Sequence, residues 1–310
     1  MQKEAHIAGI AFSIIFGFTF MFSKTALSYV TPIGLIAYRF LTAFLVFELI
    51  RRLRFITVRF QKAHLKDLLM VALFQPVLYF LLETFGLNLT TSAEAGMMIA
   101  LIPIFTTILG TILLKEKPKL LQIPFILMSV GGIILIQLFK SGSEVDIQML
   151  GFFLLFGAVI SAALFNIASR KASTSLKPHE LTYFMMLVGA VTFNVIYLIQ
   201  LAMGGGIGTY ISNLNHVEIV LPILYLGTIA SMGGFFLVNY ALSRLEAHVI
   251  SVYANFATIV AVAAGAVFLN EALEYYHFIG GAMIIIGVYG TVRLNNGESR
   301  RAKRLFNRQK

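Results

Sequence analysis

The chain is predicted to be an all-α membrane protein, with ten transmembrane helices arranged as two inverted five-helix repeats. Three observations predict this. Of 310 residues, 58% are hydrophobic and only 12% charged, with a mean hydropathy of +0.86, whereas soluble domains carry about 25% charge. Ten mostly apolar stretches follow one another with short connections, each of about the 20 residues that a bilayer core requires. The second half also echoes the first at a fixed displacement.

The stretches lie at roughly 7–28, 32–50, 66–88, 92–114, 119–139, 148–169, 179–202, 217–242, 247–269 and 273–292. They are too long for the alternating strands of about 10 residues that build a membrane barrel. The first is too long for a signal-peptide core, lacks an A-x-A-like cleavage site and runs straight into further spans, so it is expected to be retained. Pro32 and Pro118 stand at span starts, where a missing N–H costs little. Pro76 and Pro103 stand inside spans and should kink them. In the ninth span Ala261 and Gly265 are spaced for close helix approach, as are Gly280, Gly287 and Gly290 in the tenth. The longest connections are about 51–65, 203–216 and the tail from 293.

The same composition excludes a disordered chain. The absence of Cys excludes disulfides, thiolate metal sites and Cys nucleophiles. The net charge of +10 would suit nucleic acid if the charge were spread evenly, but it is not. Of 24 Lys and Arg residues, 21 fall in connections on one side, from Lys3 and the Arg51–Lys66 group to the tail. The opposite connections hold only Lys140, and Lys24 and Arg39 lie within spans. That asymmetry marks cytoplasmic loops. The expectation is an integral protein of the cytoplasmic membrane with both termini cytoplasmic. The basic tail Arg300–Lys310 then reads as a topology signal and anionic-lipid contact, and no nucleic-acid partner is expected.

Displacing the chain by 155 residues (Glu116 onto Glu271) also superposes Phe80 on Phe235, Leu82 on Leu237 and Leu87 on Leu242. Gly110 falls on Gly265, Leu114 on Leu269 and Gly132 on Gly287. The two Leu-x-Glu endings are the informative part, because Glu is rare here. Residues 1–140 form the first expected unit, 148–292 the second, and 293–310 a basic tail. Each unit has five spans, an odd number, so the second must enter the membrane from the opposite face. Inverted pairs of this kind are typical of secondary carriers that hold substrate near the midplane.

These residues resemble the EamA-like branch of the drug/metabolite transporter superfamily. The resemblance rests on Gly17 and Lys24 in the first span, Arg39-Phe40 in the second, and Gly86-Leu87, Ala93, Ala95, Pro103 and Leu114-Lys115-Glu116 in the third and fourth. The second copy has Ala241-Leu242, Ala247, Gly265 and Leu269-Asn270-Glu271, and departs from the pattern at Thr258, where such repeats often have Pro. The resemblance implies an alternating-access carrier for small metabolites, often amino acids and commonly exported.

Ionisable side chains inside spans are costly, so each should have a partner or a task. Lys24, Arg39 and Glu83 all fall in the outer half of the first unit, Lys24 about 6 Å and Arg39 about 10 Å deep at 1.5 Å per residue. Lys24 either snorkels to headgroups or joins a substrate site. Arg39 either pairs with Glu83 or receives a substrate carboxylate bidentately. Glu83 balances the charge, and if unpaired it is the candidate for proton coupling. Tyr38 and Tyr79 are candidate aromatic walls. Phe12, Phe16 and Phe20 recur on one face of the first span, which either lines an apolar pocket or faces lipid. From the second unit, Asn166, Asn239 and Tyr253 are candidate pocket residues. Asn194, Asn255 and His248 complete a neutral polar set whose common role is interhelical hydrogen bonding.

No metal-protease, Walker or nucleophile-elbow motif occurs, so no cofactor, metal or ATP-driven step is expected. The remaining partners are a small-molecule substrate and membrane lipids, with the chain a monomer or homodimer. A lipid-carrier flippase is the alternative, and an intramembrane enzyme a more distant one.

Overall fold

The computed structural model describes residues 2–58, 62–114, 121, 123–139, 145–245, 247–287 and 289–290. Glu116, Pro118, Lys140, Glu246 and the basic tail lie outside the described residues, as do the side chains of His248 and Asn255. Every regular element among the described residues is helical. Among the described residues, seven helices are long and apolar enough to cross a membrane, and three shorter apolar helices stand at the fifth, ninth and tenth predicted stretches.

Helix α1 is Gln2–Leu27 and α2 is Pro32–Arg52. The start of α2 is set locally: Thr31 accepts a hydrogen bond from the Gly34 N–H at 3.2 Å, and Pro32 fills the first turn. Helix α3, Leu65–Asn88, changes to a wider π-helical turn at Leu73–Leu78. There Gln75 leaves helical geometry (φ −148°, ψ 116°) just before Pro76, because proline crowds the residue ahead of it. Helix α4 opens at Ser92–Ile99 under a Thr91/Glu94 capping box and resumes as Ile102–Leu114. Pro103 thus stands at the start of the second segment rather than inside a continuous helix.

Helix α5 is Ile123–Phe139, α6 Val145–Ala172 and α7 Pro178–Gln200. Helix α8, Val217–Leu242, also carries a π-helical stretch, Tyr225–Gly234. Helix α9 is Ala247–Phe268, and α10 contains Tyr275–Gly287.

Helix α1 packs on α8 and α9, α6 on α3 and α4, α2 on α7, and α4 on α9. Small residues set these approaches. A Cβ at Gly96 would meet Ala261 at 2.7 Å, and one at Gly132 would meet the Gly280 carbonyl at 2.6 Å, so backbones touch where larger side chains would hold them apart.

Candidate functional site

A cavity with about 740 Å³ of empty space, part of it open to solvent, lies where these helices converge. Helix α1 contributes Phe12, Phe16, Thr19 and Phe20, and α3 contributes Gln75, Tyr79, Phe80 and Glu83. Arg39 enters from α2, Asn166 and Phe165 from α6, and Phe235 and Val238 from α8. Ala162 of α6 and residues of α4 and α9 complete the wall. The aromatic face of α1 read from the sequence thus borders this cavity.

Arg39 is 3% exposed and stands seven residues into α2. Its Nε donates to Ser231 Oγ at 2.7 Å, and its Cζ lies 4.4 Å from the Phe80 ring centroid, a cation–π arrangement. The π-helical stretch of α8 makes this seat. Gly227 lies so close to α2 that a Cβ there would come within 3.0 Å of the Arg39 carbonyl, which brings Ser231 within reach. Beyond that bond and that ring, the terminal guanidinium nitrogens have no hydrogen-bond partner among the described residues.

Glu83, 2% exposed, accepts a hydrogen bond from Thr84 Oγ1 at 3.1 Å. Arg39 and Glu83 border the same cavity but form no ion pair with each other within 4.0 Å. The direct ion pair weighed from the sequence is therefore absent; Ser231 and Phe80 hold Arg39 instead. Tyr79 and Asn166 also border the cavity, with Asn166 Nδ2 donating to Thr106 Oγ1 at 3.4 Å.

The other four sequence candidates are engaged outside this lining. Lys24 Nζ donates to the Leu87 carbonyl at 2.9 Å and also to that of Thr90. It closes the C-terminal end of α3, where a cation suits the exposed carbonyls, rather than snorkelling. Tyr38 donates to the Tyr210 carbonyl at 2.8 Å and packs on the rings of Tyr197 and Tyr210. Asn239, fully buried, accepts from Ser169 at 2.7 Å and donates to Thr182 at 2.9 Å, which ties α8 to α6 and α7. The Tyr253 hydroxyl lies 2.7 Å from His6 Nδ1, joining α9 to α1. Asn194 donates to the Ala37 and Ala190 carbonyls at 3.1 and 2.7 Å.

The sequence profile described as the EamA-like transporter family matches the chain twice, at residues 3–138 and 149–293. The chain belongs to the EamA-like transporter family. It is 38% identical over 290 residues to an uncharacterized transporter, YcxC, of Bacillus subtilis (strain 168), covering 94% of this chain and 93% of that one. It is 26% identical over 300 residues to a probable amino-acid metabolite efflux pump of Escherichia coli (strain K12), covering 93% and 95%. A crystal structure of 16% sequence identity superposes with a TM-score of 0.65, covering 94% of this chain and 98% of the other. This last likeness concerns the fold alone.

In this EamA-like chain three cavity-related residues escaped the sequence reading: Gln75, Thr19 and Ser231. Gln75 carried a usable signal, because a residue preceding an intramembrane proline is forced out of helical geometry. Thr19 and Ser231 carried none, since hydroxyls in apolar helices commonly bond their own backbone.

Proposed function

We propose that the protein is a secondary carrier, not an enzyme, that moves a small amino-acid-like metabolite across the cytoplasmic membrane by alternating access, in the outward direction. Arg39 receives the carboxylate, Glu83 the ammonium group or a coupled proton, and Tyr79 with the α1 aromatics encloses the rest. The observation that carries this reading is the pairing of two buried, oppositely charged side chains on one cavity wall without a direct bond between them. Buried charges require compensation, and a zwitterion placed between them supplies both signs. Lys24, Tyr38, Asn239 and Tyr253 belong to the surrounding helix contacts and are proposed to act through them.

The membrane architecture proposed with this function is ten spans in two inverted five-helix units, 1–140 and 148–292, with both termini cytoplasmic. It is supported by the two profile matches. It is also supported by the paired wide turns, for Leu73–Leu78 displaced by 155 residues falls inside Tyr225–Gly234. The packing fits as well: α1 lies on α8 and α9 as α6 lies on α3 and α4, which is the exchange expected of two equivalent units.

The test is flux of labelled amino acids and related carboxylates into proteoliposomes containing this chain alone. Saturable uptake of a zwitterionic solute is expected; no uptake across a broad panel would overturn the reading.

A further inference from the structure

The cavity carries polar groups at two levels. Arg39 and Glu83 form one. Gln75 stands eight residues before Glu83 on α3, at the break in that helix. Ser161 on α6 donates to the Phe74 carbonyl at 2.8 Å, which sets α6 in register with the break in α3. Asn166 follows one turn further, on the same side of the Arg39–Glu83 level. Phe80, on which Arg39 stacks, and Phe165, the neighbour of Asn166, each pack on Phe235, with centroids 5.9 and 6.2 Å apart.

Gln75 is only 6% exposed, yet its side-chain amide has no hydrogen-bond partner among the described residues, and it borders the cavity. Asn166, 8% exposed, uses one amide hydrogen on Thr106, and its carbonyl oxygen has no partner among the described residues. The free amide atoms of these two side chains are not sealed off from the cavity, so a bound group can pair with them. Among the described residues, Arg39 and Glu83 are the only Arg, Lys, Asp or Glu side chains bordering the cavity, which favours a neutral group at Gln75 and Asn166.

We propose that Gln75 and Asn166 form a second, uncharged subsite, which recognises a hydroxyl or amide at the far end of a solute whose charged end lies at Arg39 and Glu83. The proposal rests on the reading of this cavity as the transport site. The break in α3 is what makes the subsite available: it turns the Gln75 backbone away from the helix and sets the side chain against the void.

Tyrosine and phenylalanine are suitable probes, since both are zwitterions with an aromatic body and they differ only in a distal hydroxyl. Equilibrium binding of each labelled amino acid is measured on the purified full-length chain, wild type and Gln75→Leu, with Asn166→Leu carrying the same test should Gln75→Leu not yield folded protein. The expected result is an affinity for tyrosine lowered about tenfold, the scale of one net hydrogen bond, with phenylalanine changed less than twofold. Equal losses for both probes, or no change for either, would overturn the subsite and leave the carrier reading standing. Failure of the wild type to bind either probe would overturn the subsite, while the carrier reading stands or falls on the uptake panel.

Discussion

Ser129 on α5 donates a hydrogen bond to the carbonyl of Ile284 on α10 at 3.2 Å, across a separation of 155 residues. That separation is the displacement at which the two halves of the sequence align, so each residue meets its own counterpart. The neighbouring contacts exchange in the same way. Gly132 lies against the Gly280 carbonyl, and Gly287 lies against the Phe125 carbonyl. Displacement carries Gly132 onto Gly287 and Phe125 onto Gly280. Self-exchanging contacts are what a two-fold relation produces at its axis, and α5 with α10 is where such an axis would run.

If so, the two glycines carry equal weight. Gly132→Leu and Gly287→Leu should each force α5 and α10 apart and lower the apparent Tm in detergent by similar amounts, each costing about 1–3 kcal/mol as overpacking does. The double variant should lose less than the sum of the two, because the interface is already opened. A tolerated leucine at either position would contradict the shared-axis arrangement.

Arg39 holds the cavity's positive charge with Nε fixed by Ser231. Arg39→Ala should raise KM for carboxylate-bearing solutes by about tenfold or more, the scale of a charge-assisted hydrogen bond. Arg39→Lys should recover only part of that loss, since an ammonium keeps the charge but not the two-pronged geometry. Flux in proteoliposomes measures both, and normal KM in the alanine variant would remove Arg39 from the site.

Glu83 is the acidic counterpart, held by Thr84 and not by Arg39. If it carries a coupled proton, Glu83→Gln should still exchange labelled for unlabelled solute across the membrane. It should lose the accumulation that an imposed pH gradient drives in the wild type. Gradient-driven accumulation that survives the substitution would assign coupling to another group.

The helices and the rare charges within them were legible in the sequence because both follow from rarity. Apolar runs of span length do not arise in soluble chains, and Arg39 and Glu83 stand out against so little charge. The partners of those charges were not legible. Ser231 reaches Arg39 where α8 widens at Tyr225–Gly234 and Gly227 admits α2, and Pro222, three residues before that widening, does not show how far it extends. Lys24 stood out as a charge within an apolar run, but the carbonyls it meets belong to the end of α3, more than 60 residues later. Asn239 shows the same limit. Its amide is as suited to a pocket as to a junction between helices, and packing alone places it between Ser169 and Thr182.

Glu271 belongs to the second Leu-x-Glu ending, and the structure gives that carboxylate a definite task. Its two oxygens accept from the Ser92 and Ala93 N–H groups at 2.8 and 3.0 Å, which are the first N–H groups of α4. Helix starts leave such donors without partners and favour negative charge, so a residue following α9 in the second half caps a helix of the first. Loss of a side-chain cap costs about 0.5–2 kcal/mol. Glu271→Ala should therefore lower the apparent Tm by a few degrees. Glu271→Gln keeps the acceptor geometry on one oxygen and should lose roughly half as much. Because α4 also walls the cavity, through Ile99 and Ile102, the alanine variant should weaken solute binding more than the glutamine variant does. Thermal melts and binding measured on the same preparations separate the two effects. A Tm unchanged in Glu271→Ala would mean that the α4 start is held by its own Thr91/Glu94 capping box alone.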